Sequence, residues 1–484
     1  MRSLVFERNL PRFAASRLAS TLGSGRGAAV GPLRLLDTEP PALPGPGWVR
    51  VSPLLSGICG SDLATLDGRS SRYFEHVVSF PFVPGHEVVG VLETGGRVVI
   101  EPVLGCAARG IDPPCPACAR GQLGNCERLA FGHLKPGLQT GYCADTGGGW
   151  SHAGLVAHES QLHPVPDAFL DEDAVVVEPV ACATHAVCDA ALGGGETVAV
   201  VGAGTLGLAV VAAVSALSAA GHVAAPGALF VGARYPHQRR LAGELGATAA
   251  LAPDQLGRAV RRKTGSLSMA DPRPRRPGGP LTGGADVVFD CVGSADSIGQ
   301  SLAVVRPRGR VVLVGMPGRV HVDLAPLWHR EVRLLGAYAY GTERLASGAT
   351  ARTFDLAFEV VAAHGLGRLV SATYPIERFE EAVQHAGAAG RRGSVKVAFD
   401  LRHKEARHGE QPHGDAHGDA HGDAHGDAHG DGGRRRRKRP GAWRRAADRA
   451  SEIIRGVAGA LGPAPQPAVV PIPVRTTPRA RRAT

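Results

Sequence analysis

The sequence predicts an α/β protein in which a β-rich part precedes a doubly wound parallel sheet and a low-complexity tail. Residues 1–180 hold short alternating runs of apolar and polar residues that Gly and Pro interrupt, which is typical of a β-rich, partly barrel-like domain. From about Gly193 onward, apolar strands alternate with helical segments, as in a parallel sheet covered on both faces. We therefore expect domains at 1–180 and 181–328, a return to the first domain at 329–402, and a tail at 403–484.

Length and composition fit a two-domain enzyme. A chain of 484 residues is too long for one compact core, and 44% hydrophobic with 20% charged residues is typical of a globular enzyme. No apolar run reaches the roughly eighteen residues that cross a bilayer. Met1–Gly31 has the Arg-, Ser- and Ala-rich composition of a transit peptide, but Met1–Glu7 also has the pattern of an opening strand, and we favour the strand.

The net charge of +10 comes mostly from the tail. Residues 403–484 carry 16 Lys and Arg against 9 Asp and Glu, which leaves 38 against 35 for the rest of the chain. A His-Gly-Asp-Ala repeat fills 413–431, and we expect a disordered, solvated spacer rather than a weak metal-binding segment. The basic cluster 434–439 lacks aromatic residues, which predicts weak contact with an acidic surface and no specific nucleic acid. Apolar residues at helical spacing in 443–461 indicate a basic amphipathic segment that rests on an anionic membrane or docks on the enzyme.

The strands of the parallel sheet are expected on either side of a glycine motif. The apolar segment Glu196–Val201 precedes the motif, and a helix is expected from Leu206 to about Ala219. The Pro- and Gly-rich segment 270–284 predicts a solvent loop. Further strands are expected at 228–231, 286–290, 310–314 and, returning to the first domain, 394–399.

The glycine motif predicts a dinucleotide site, because it follows a strand and opens a helix. Gly202 permits a tight turn, Gly204 lets the backbone approach a pyrophosphate, and Gly207 allows the helix to pack closely on the sheet. Backbone N–H groups at the start of the helix would bind the phosphates. The motif consists of Gly202, Ala203, Gly204, Thr205, Leu206 and Gly207.

The end of the next strand indicates which dinucleotide is preferred. Selection of NAD normally uses an acidic residue there, which bonds the ribose hydroxyls. This strand instead ends near Gly232 and Arg234, with Arg239 or Arg240 close by and no carboxylate. Arginine can bind a 2′-phosphate through two parallel hydrogen bonds, so we expect NADP to be preferred over NAD. The alternative is that these arginines only form a solvated helix face.

Two clusters of metal-ligating residue types stand in the β-rich part. The first combines a thiolate, an imidazole and carboxylates, the mixed ligand set of a catalytic zinc site, in Cys59, Asp62, His86, Glu87 and Glu178. The second predicts a tetrahedral structural zinc site from the spacing of Cys106, Cys115, Cys118 and Cys126. Thiolate ligands must stay reduced, so we expect a cytoplasmic protein.

These motifs resemble those of the zinc-dependent medium-chain dehydrogenase/reductase family, the group of alcohol, sorbitol, threonine and glucose dehydrogenases. The resemblance covers Met1 to about Arg402. It implies a GroES-like catalytic domain with a Rossmann domain, a homodimer or homotetramer, and hydride transfer between a small alcohol or carbonyl substrate and NAD(P). It rests on motifs in the family order, namely Gly57-Ile58-Cys59-Gly60-Ser61-Asp62, Pro81-Phe82-Val83-Pro84-Gly85-His86-Glu87-Val88-Val89-Gly90, Glu178-Pro179 and the glycine motif.

The resemblance also implies roles for individual residues of the catalytic zinc site. Cys59, His86 and Glu178 would bind the metal, and Glu87 would bind it in alternation or through water. Asp62 would hydrogen-bond the far nitrogen of His86 and fix its tautomer. A glutamate as third ligand leans towards polyols or sugars as substrates.

Two points of the catalytic site stay open in the sequence. Cys182 lies four residues after Glu178 and is an alternative third ligand. Ser61 is similar to the family hydroxyl that passes the substrate proton towards solvent. Many relatives continue that path with a histidine where this chain has Ala64, so water or Asp67 would have to serve here.

The structural zinc site departs from the family pattern. In relatives the first cysteine usually lies three positions before the second, whereas Cys106 lies nine before Cys115. The six extra residues, within Ala107–Pro114, would bulge out as a loop, which the slow growth of loop-closure entropy permits. The alternative is a vestigial lobe from which Cys106 is detached.

Two classes of function therefore compete. The first is a zinc-dependent oxidoreductase that transfers hydride between an alcohol and NAD(P), because zinc acts as a Lewis acid on the alcohol oxygen. The second is a family-fold protein with weak or lost catalysis that acts by binding through its basic tail. The complete set of Cys59, His86 and Glu178 favours the enzyme.

Overall fold

The fold is the α/β architecture that the sequence predicts. The computed structural model describes residues 1–269 and 281–402. The expectations for the tail at 403–484, and for all but the last four residues of the loop at 270–284, lie outside the described residues. Within them, a mostly antiparallel sheet of seven strands and a parallel sheet of six strands organise the chain. No described helix is long and apolar enough to cross a membrane.

The strands of the described residues, numbered in chain order, are β1 Arg2–Phe6, β2 Leu33–Asp37, β3 Trp48–Gly57, β4 Val88–Leu92, β5 Arg97–Ile100, β6 Leu155–His158, β7 Leu162–Pro164, β8 Thr197–Val201, β9 Ala228–Gly232, β10 Ala249–Leu251, β11 Ala285–Asp290, β12 Val305–Leu313, β13 Arg333–Gly336, β14 Thr342–Arg344, β15 Thr350–Arg352, β16 Val370–Tyr374 and β17 Lys396–Asp400. The α-helices are α1 Leu10–Ser20, α2 Gly60–Leu66, α3 Pro116–Ala119, α4 Asp171–Val175, α5 Val177–Asp189, α6 Thr205–Ala219, α7 Pro236–Glu244, α8 Pro253–Thr264, α9 Ala295–Val304, α10 Ala325–His329, α11 Thr353–His364 and α12 Phe379–Gly387.

The parallel sheet has the strand order β10-β9-β8-β11-β12-β13. The order reverses beside β8, so the carboxyl ends of β8 and β11 border the crevice where such sheets bind ligands. The sheet extends further than expected, because β12 begins at Val305 rather than at 310 and β13 lies beyond the expected boundary at 328. The first half of β12 contains Pro and Arg and therefore lacks the apolar pattern of a buried strand. Strand β13 has only four residues, too few for a periodic pattern.

Helix α6 is buried along most of its length. It packs between the parallel sheet on one side and helices α5 and α11 on the other. A helix covered on all sides needs no polar face, which explains its almost wholly apolar sequence. Its N-terminus stands at the end of β8, beside the crevice.

Strand β3 is the centre of the seven-stranded sheet. The order is β16-β17-β3-β4-β5-β7, with β6 also paired to β3. The expected returning strand is present as β17, and it places Ala398 opposite Gly57, two residues before Cys59. Residues from the end of the described chain therefore lie next to the predicted metal ligands.

A helix that the sequence does not predict, α1, lies between β1 and β2. The opening strand β1 is present as expected and pairs with β2. The Ser16 hydroxyl of α1 donates to the carbonyl of Leu66 at the end of α2. Asp67 then accepts from the Ser24 hydroxyl and from the N–H of Gly25. The α1 connection is thus fixed to the end of α2, the helix that follows Cys59.

Candidate metal centre and dinucleotide crevice

Cys59 stands at the junction of β3 and α2. It is the N-cap of α2, and its backbone N–H donates to Oδ2 of Asp62 over 2.9 Å. The carboxylate thereby satisfies one of the donors that the start of a helix leaves unpaired. Cys59 and Asp62 are held side by side as a result.

His86 lies just before β4 and faces the same carboxylate. Its Nδ1 is 3.5 Å from Oδ1 of Asp62, longer than an ordinary hydrogen bond, and the Tyr142 hydroxyl donates to that oxygen at 3.2 Å. Burial lowers the pKa of His86, but the charges of Asp62 and Cys59 and the hydrogen bonding to them together outweigh it and raise the pKa well above its usual value. The carboxylate favours a proton on Nδ1, which leaves Nε2 for a ligand.

Three ligand groups converge at this point. Sγ of Cys59, a ring nitrogen of His86 and a carboxylate oxygen of Glu87 all lie within 4.8 Å of one another. Glu87 also forms a buried ion pair with Lys396 of β17, whose ammonium donates to the carbonyl of Ile58 at 3.3 Å. A thiolate, an imidazole and a carboxylate around one position are donors that suit Zn²⁺.

Glu178, in the first turn of α5, lies beside this cluster but outside it. In the described part of the chain, its carboxylate is not among the groups that share the 4.8 Å cluster. Its Oε1 accepts from the Tyr340 hydroxyl at 3.1 Å and contacts Sγ of Cys182 at 3.6 Å. Burial raises the pKa of Glu178 to about 7, and the neighbouring charge of Glu87 adds to the rise.

Cys182 is directed at Glu178. Burial, together with the charge of Glu178, raises the pKa of the Cys182 thiol well above its ordinary value. A thiol that keeps its proton donates to the carboxylate, whereas a metal ligand has to be a thiolate. Glu178 and Cys182, the two alternatives that the sequence leaves open, contact each other here, and the choice of Glu178 as third ligand stays a prediction.

Ser61 and Asp67, the two residues considered for the proton path, have different surroundings. Ser61 is half-buried in the first turn of α2. Asp67 is fully buried, and its carboxylate already has three partners. It accepts from the Ser24 hydroxyl at 2.6 Å and from the N–H of Gly25 at 3.0 Å, and it forms an ion pair with Arg69 at 2.8 Å. Asp67 therefore anchors the α1 connection, which favours water over Asp67 as the partner of Ser61.

The four cysteines of the second cluster come together as predicted. The sulfur atoms of Cys106, Cys115, Cys118 and Cys126 lie within 4.8 Å of one another, so Cys106 is not detached from the cluster. The N–H of Cys115 donates to Sγ of Cys106 at 3.3 Å. Burial raises the pKa of Cys115, but hydrogen bonds from the backbone of Cys118 and Glu127 bring it down to about 6. The chain thus contains a four-cysteine structural site, whose donor set suits tetrahedral zinc.

The extra residues between Cys106 and Cys115 form a loop, as expected, but the side chain of Arg109 within it turns inward. Ala107, Gly110 and Asp112–Pro114 are exposed, whereas Ala108 and Arg109 are buried. A buried charge is costly unless its donors are satisfied, and here carbonyl oxygens satisfy them. At 2.6 to 3.3 Å, the guanidinium donates to the carbonyls of Leu104, Phe131, Leu134, Lys135 and Gly137.

The glycine motif forms the turn between β8 and α6. Gly202 has φ +93°, in the left-handed region that favours glycine. A Cβ on Gly207 would overlap the carbonyl of Gly202, so the helix approaches the strand closely. Among the described residues, nothing lies within 4 Å of the Cβ position of Gly204, which leaves the start of α6 accessible to a phosphate. The Thr205 hydroxyl donates to the carbonyl of Val395 at 3.4 Å, and Leu206 packs against the core.

The arginines after β9 have different surroundings. Arg239 donates to the carbonyls of Ala233 and Arg234, both at 3.0 Å, and so shapes the loop. The Nε atom of Arg240 lies 3.6 Å from Oε1 of Glu244, also on α7. Arg234 is exposed at the end of β9. Arg234 is therefore the best placed of the three to reach a 2′-phosphate.

Sequence reasoning missed three side chains of the site, namely Lys396, Tyr340 and Tyr142. A signal for Lys396 exists, because it interrupts the apolar run of β17, and a charge on a central strand is normally paired when buried. The two tyrosines belong to no motif. Their partners, Glu178 and Asp62, are far away in the chain, so only the fold reveals these contacts.

Comparisons with known proteins agree with this geometry. Residues 45–167 match the alcohol dehydrogenase GroES-like domain, and residues 205–355 match the zinc-binding dehydrogenase domain. A probable D-xylulose reductase A of Aspergillus fumigatus is 30% identical over 63% of this chain and 79% of its own length. A sorbitol dehydrogenase of Arabidopsis thaliana is 28% identical over 76% of this chain and 93% of its own length. The structure of 2R,3R-butanediol dehydrogenase from Bacillus subtilis superposes with a TM-score of 0.57 at 20% identity, over 82% of this chain and 99% of that chain.

A metal-ligating cluster in the same chain as a dinucleotide-binding sheet defines an oxidoreductase of the alcohol dehydrogenase type. The chain belongs to the zinc-binding medium-chain dehydrogenase family. Zinc and NAD(P) are the cofactors of that class, and the resemblance drawn from the motifs is confirmed.

Proposed function

We propose that this protein transfers hydride between a polyol- or sugar-type alcohol and NADP. Cys59, His86 and Glu178 would hold the catalytic zinc, with Glu87 as an alternating ligand. The observation that carries the proposal is the convergence of Cys59, His86 and Glu87 within 4.8 Å in a chain that also has an accessible α6 N-terminus. The names of relatives support the substrate class, since they include sorbitol dehydrogenase, D-xylulose reductase and, at 27% identity, L-idonate 5-dehydrogenase of Vitis vinifera.

The residues of the site have separate tasks. Zinc would supply Lewis-acid chemistry that lowers the pKa of the substrate alcohol. Asp62 keeps the proton of His86 on Nδ1, and Tyr340 holds Glu178 in place through its hydroxyl. Ser61 would receive the substrate proton and pass it to water. Each task uses a contact or position described above, so each is open to mutation.

A substrate screen tests the proposal. Polyols, sugars, sugar acids and simple alcohols are offered with NADP and with NAD, and bound zinc is measured on the same sample. We expect turnover on the polyol or sugar group with about two zinc ions per chain. Activity confined to simple alcohols would overturn the substrate class. A zinc-loaded protein that binds NADPH and turns over no alcohol would favour the alternative of a binding protein.

The preference for NADP has its own test. Arg234→Ala is expected to raise the KM for NADPH about 10- to 100-fold, because a charge-assisted hydrogen bond to the 2′-phosphate is lost. The KM for NADH should change little. Arg240→Ala is the matched control, since Arg240 already lies against Glu244 and should leave both values unchanged. Equal effects of Arg234→Ala on both cofactors would contradict the assignment.

We infer that the protein is a homodimer joined along β13. This strand is the last of the parallel sheet, and in the described residues no strand pairs with its outer edge. Leu334 of β13 and Trp328 of α10, the helix that precedes β13, expose 38% and 79% of their surface. An unpaired edge next to exposed apolar side chains favours pairing with a second copy.

Trp328→Asp is expected to convert the dimer into a monomer, because it replaces a large exposed aromatic side chain just before β13 with a charge. Light scattering after gel filtration measures the mass. Leu170→Asp, at a position that is 66% exposed on a different element, is the control and should stay dimeric. A dimer that persists in Trp328→Asp would place the interface elsewhere.

A further inference from the structure

The outward side of helix α1 is apolar. Leu10, Leu18 and Leu22 are 43%, 62% and 78% exposed. Together with Ala14 they recur at every fourth position, so on a helix of 3.6 residues per turn they share one face. The N–H of Leu22 still donates to the carbonyl of Ala19, which continues the helical spacing past the end of α1. We call Leu10, Ala14, Leu18 and Leu22 the leucine face.

The opposite side of α1 is fixed to the enzyme. Ser16 donates to the carbonyl of Leu66, and the Ser20 hydroxyl lies 3.4 Å from the carbonyl of Asp67. The ring of Phe13 packs against Gly68. Turning the leucines inward would break these contacts. The contacts on the opposite side of α1 therefore keep the leucine face exposed to solvent.

The chain segment that carries the leucine face has charges of one sign. No acidic residue occurs between Glu7 and Asp37. By helical position, Arg17 falls at the edge of the face beside Leu10, whereas Arg12 lies nearer the buried side and donates to the carbonyl of Gly31 at 3.4 Å. The ion pair with Arg69 neutralises Asp67 beneath α1. The arginines of this stretch are Arg8, Arg12, Arg17, Arg26 and Arg34, of which Arg34 pairs with Glu7.

We propose that the leucine face docks on an anionic lipid surface. An exposed apolar stripe bordered by Arg17, with Arg8 and Arg26 exposed in the segments before and after the helix, has the composition of a helix that lies in the plane of a membrane interface, with leucines among the acyl chains and guanidinium groups at the phosphates. A second copy fits poorly, since twofold docking would bring the same arginines together without an acidic partner. A protein partner is also disfavoured, because the face lacks the aromatic anchors that dominate such interfaces.

A vesicle sedimentation assay on the full chain tests the proposal. Protein is mixed with vesicles of phosphatidylcholine alone, or of phosphatidylcholine and phosphatidylglycerol at roughly three to one. The variant Leu18→Ser/Leu22→Ser is compared with the control Leu43→Ser/Leu267→Ser, which removes two exposed leucines elsewhere. Both variants keep the basic tail, so the tail contributes equally to each. Dehydrogenase turnover and thermal stability confirm that both are folded.

We expect the wild type and the control to sediment with the anionic vesicles only, and the leucine-face variant to bind at least ~10-fold more weakly. Equal sedimentation of all three proteins would overturn the proposal, because the tail alone would then account for binding. Absence of wild-type binding would overturn it as well. A lower oligomeric mass of the leucine-face variant in light scattering would assign the face to a second copy instead. None of these outcomes depends on the substrate or on the cofactor preference.

Discussion

Replacing Cys59 by Ala is expected to lower kcat/KM at least ~10³-fold, because the proposed catalytic zinc loses its only thiolate ligand and with it the Lewis acid. Zinc content should fall from about two ions to about one per chain. Steady-state kinetics on the best substrate of the screen and metal analysis of the same sample measure the two effects. If activity and one zinc ion are lost together, the catalytic reaction depends on that metal.

The control for this variant is Cys182→Ala. Cys182 is a second thiol close to the same site, but its partner is the Glu178 carboxylate at 3.6 Å. It should therefore keep both zinc ions and most of the activity. Full turnover in Cys59→Ala would refute the proposed centre. Zinc loss in Cys182→Ala would show that Cys182, and not Glu178, is the third ligand.

The second large effect is expected at the structural site. Cys115→Ser should remove one zinc ion and lower the melting temperature by roughly 5–10 °C, because the free energy of metal binding no longer stabilises the lobe. The residue is central to the cluster, since it bonds Sγ of Cys106 through its N–H and accepts at its own sulfur from the N–H of Glu127. Differential scanning calorimetry and metal analysis give the two values.

Cys188→Ser is the matched control for the structural site. Cys188 is half-buried in α5 and belongs to neither ligand cluster of the described residues. Its replacement should leave the zinc content unchanged and shift the melting temperature by no more than about 2 °C. If Cys115→Ser kept both zinc ions and its melting temperature, the four-cysteine site would not be a metal site.

Much of this fold could be predicted because its signals are local. The strand before Gly202 and the glycine turn itself are contiguous in sequence, and the spacing of the four cysteines is typical of a metal site. Helix α1 gave no such signal. Its leucines face solvent while Ser16 and Ser20 face the protein, which reverses the usual amphipathic pattern.

The contacts that the sequence could not predict are long-range. Lys396 reaches Glu87 across more than three hundred residues only because β17 pairs with β3. Tyr340 meets Glu178 for a similar reason, since α5 and the segment before β14 are brought together by the fold. The six extra residues form the predicted loop, but the sequence did not reveal that Arg109 within it is buried with its donors satisfied by carbonyl oxygens far along the chain.

The buried Arg109 affects how the lobe would respond to loss of the structural metal. The carbonyl partners of Arg109 extend from residue 104 to residue 137, across the same stretch that carries the four thiols. These bonds do not involve the ion, so we expect them to persist when it departs. An emptied lobe would then keep the outline needed to recapture zinc, so that metal exchange proceeds as a local event with no refolding of the surrounding chain.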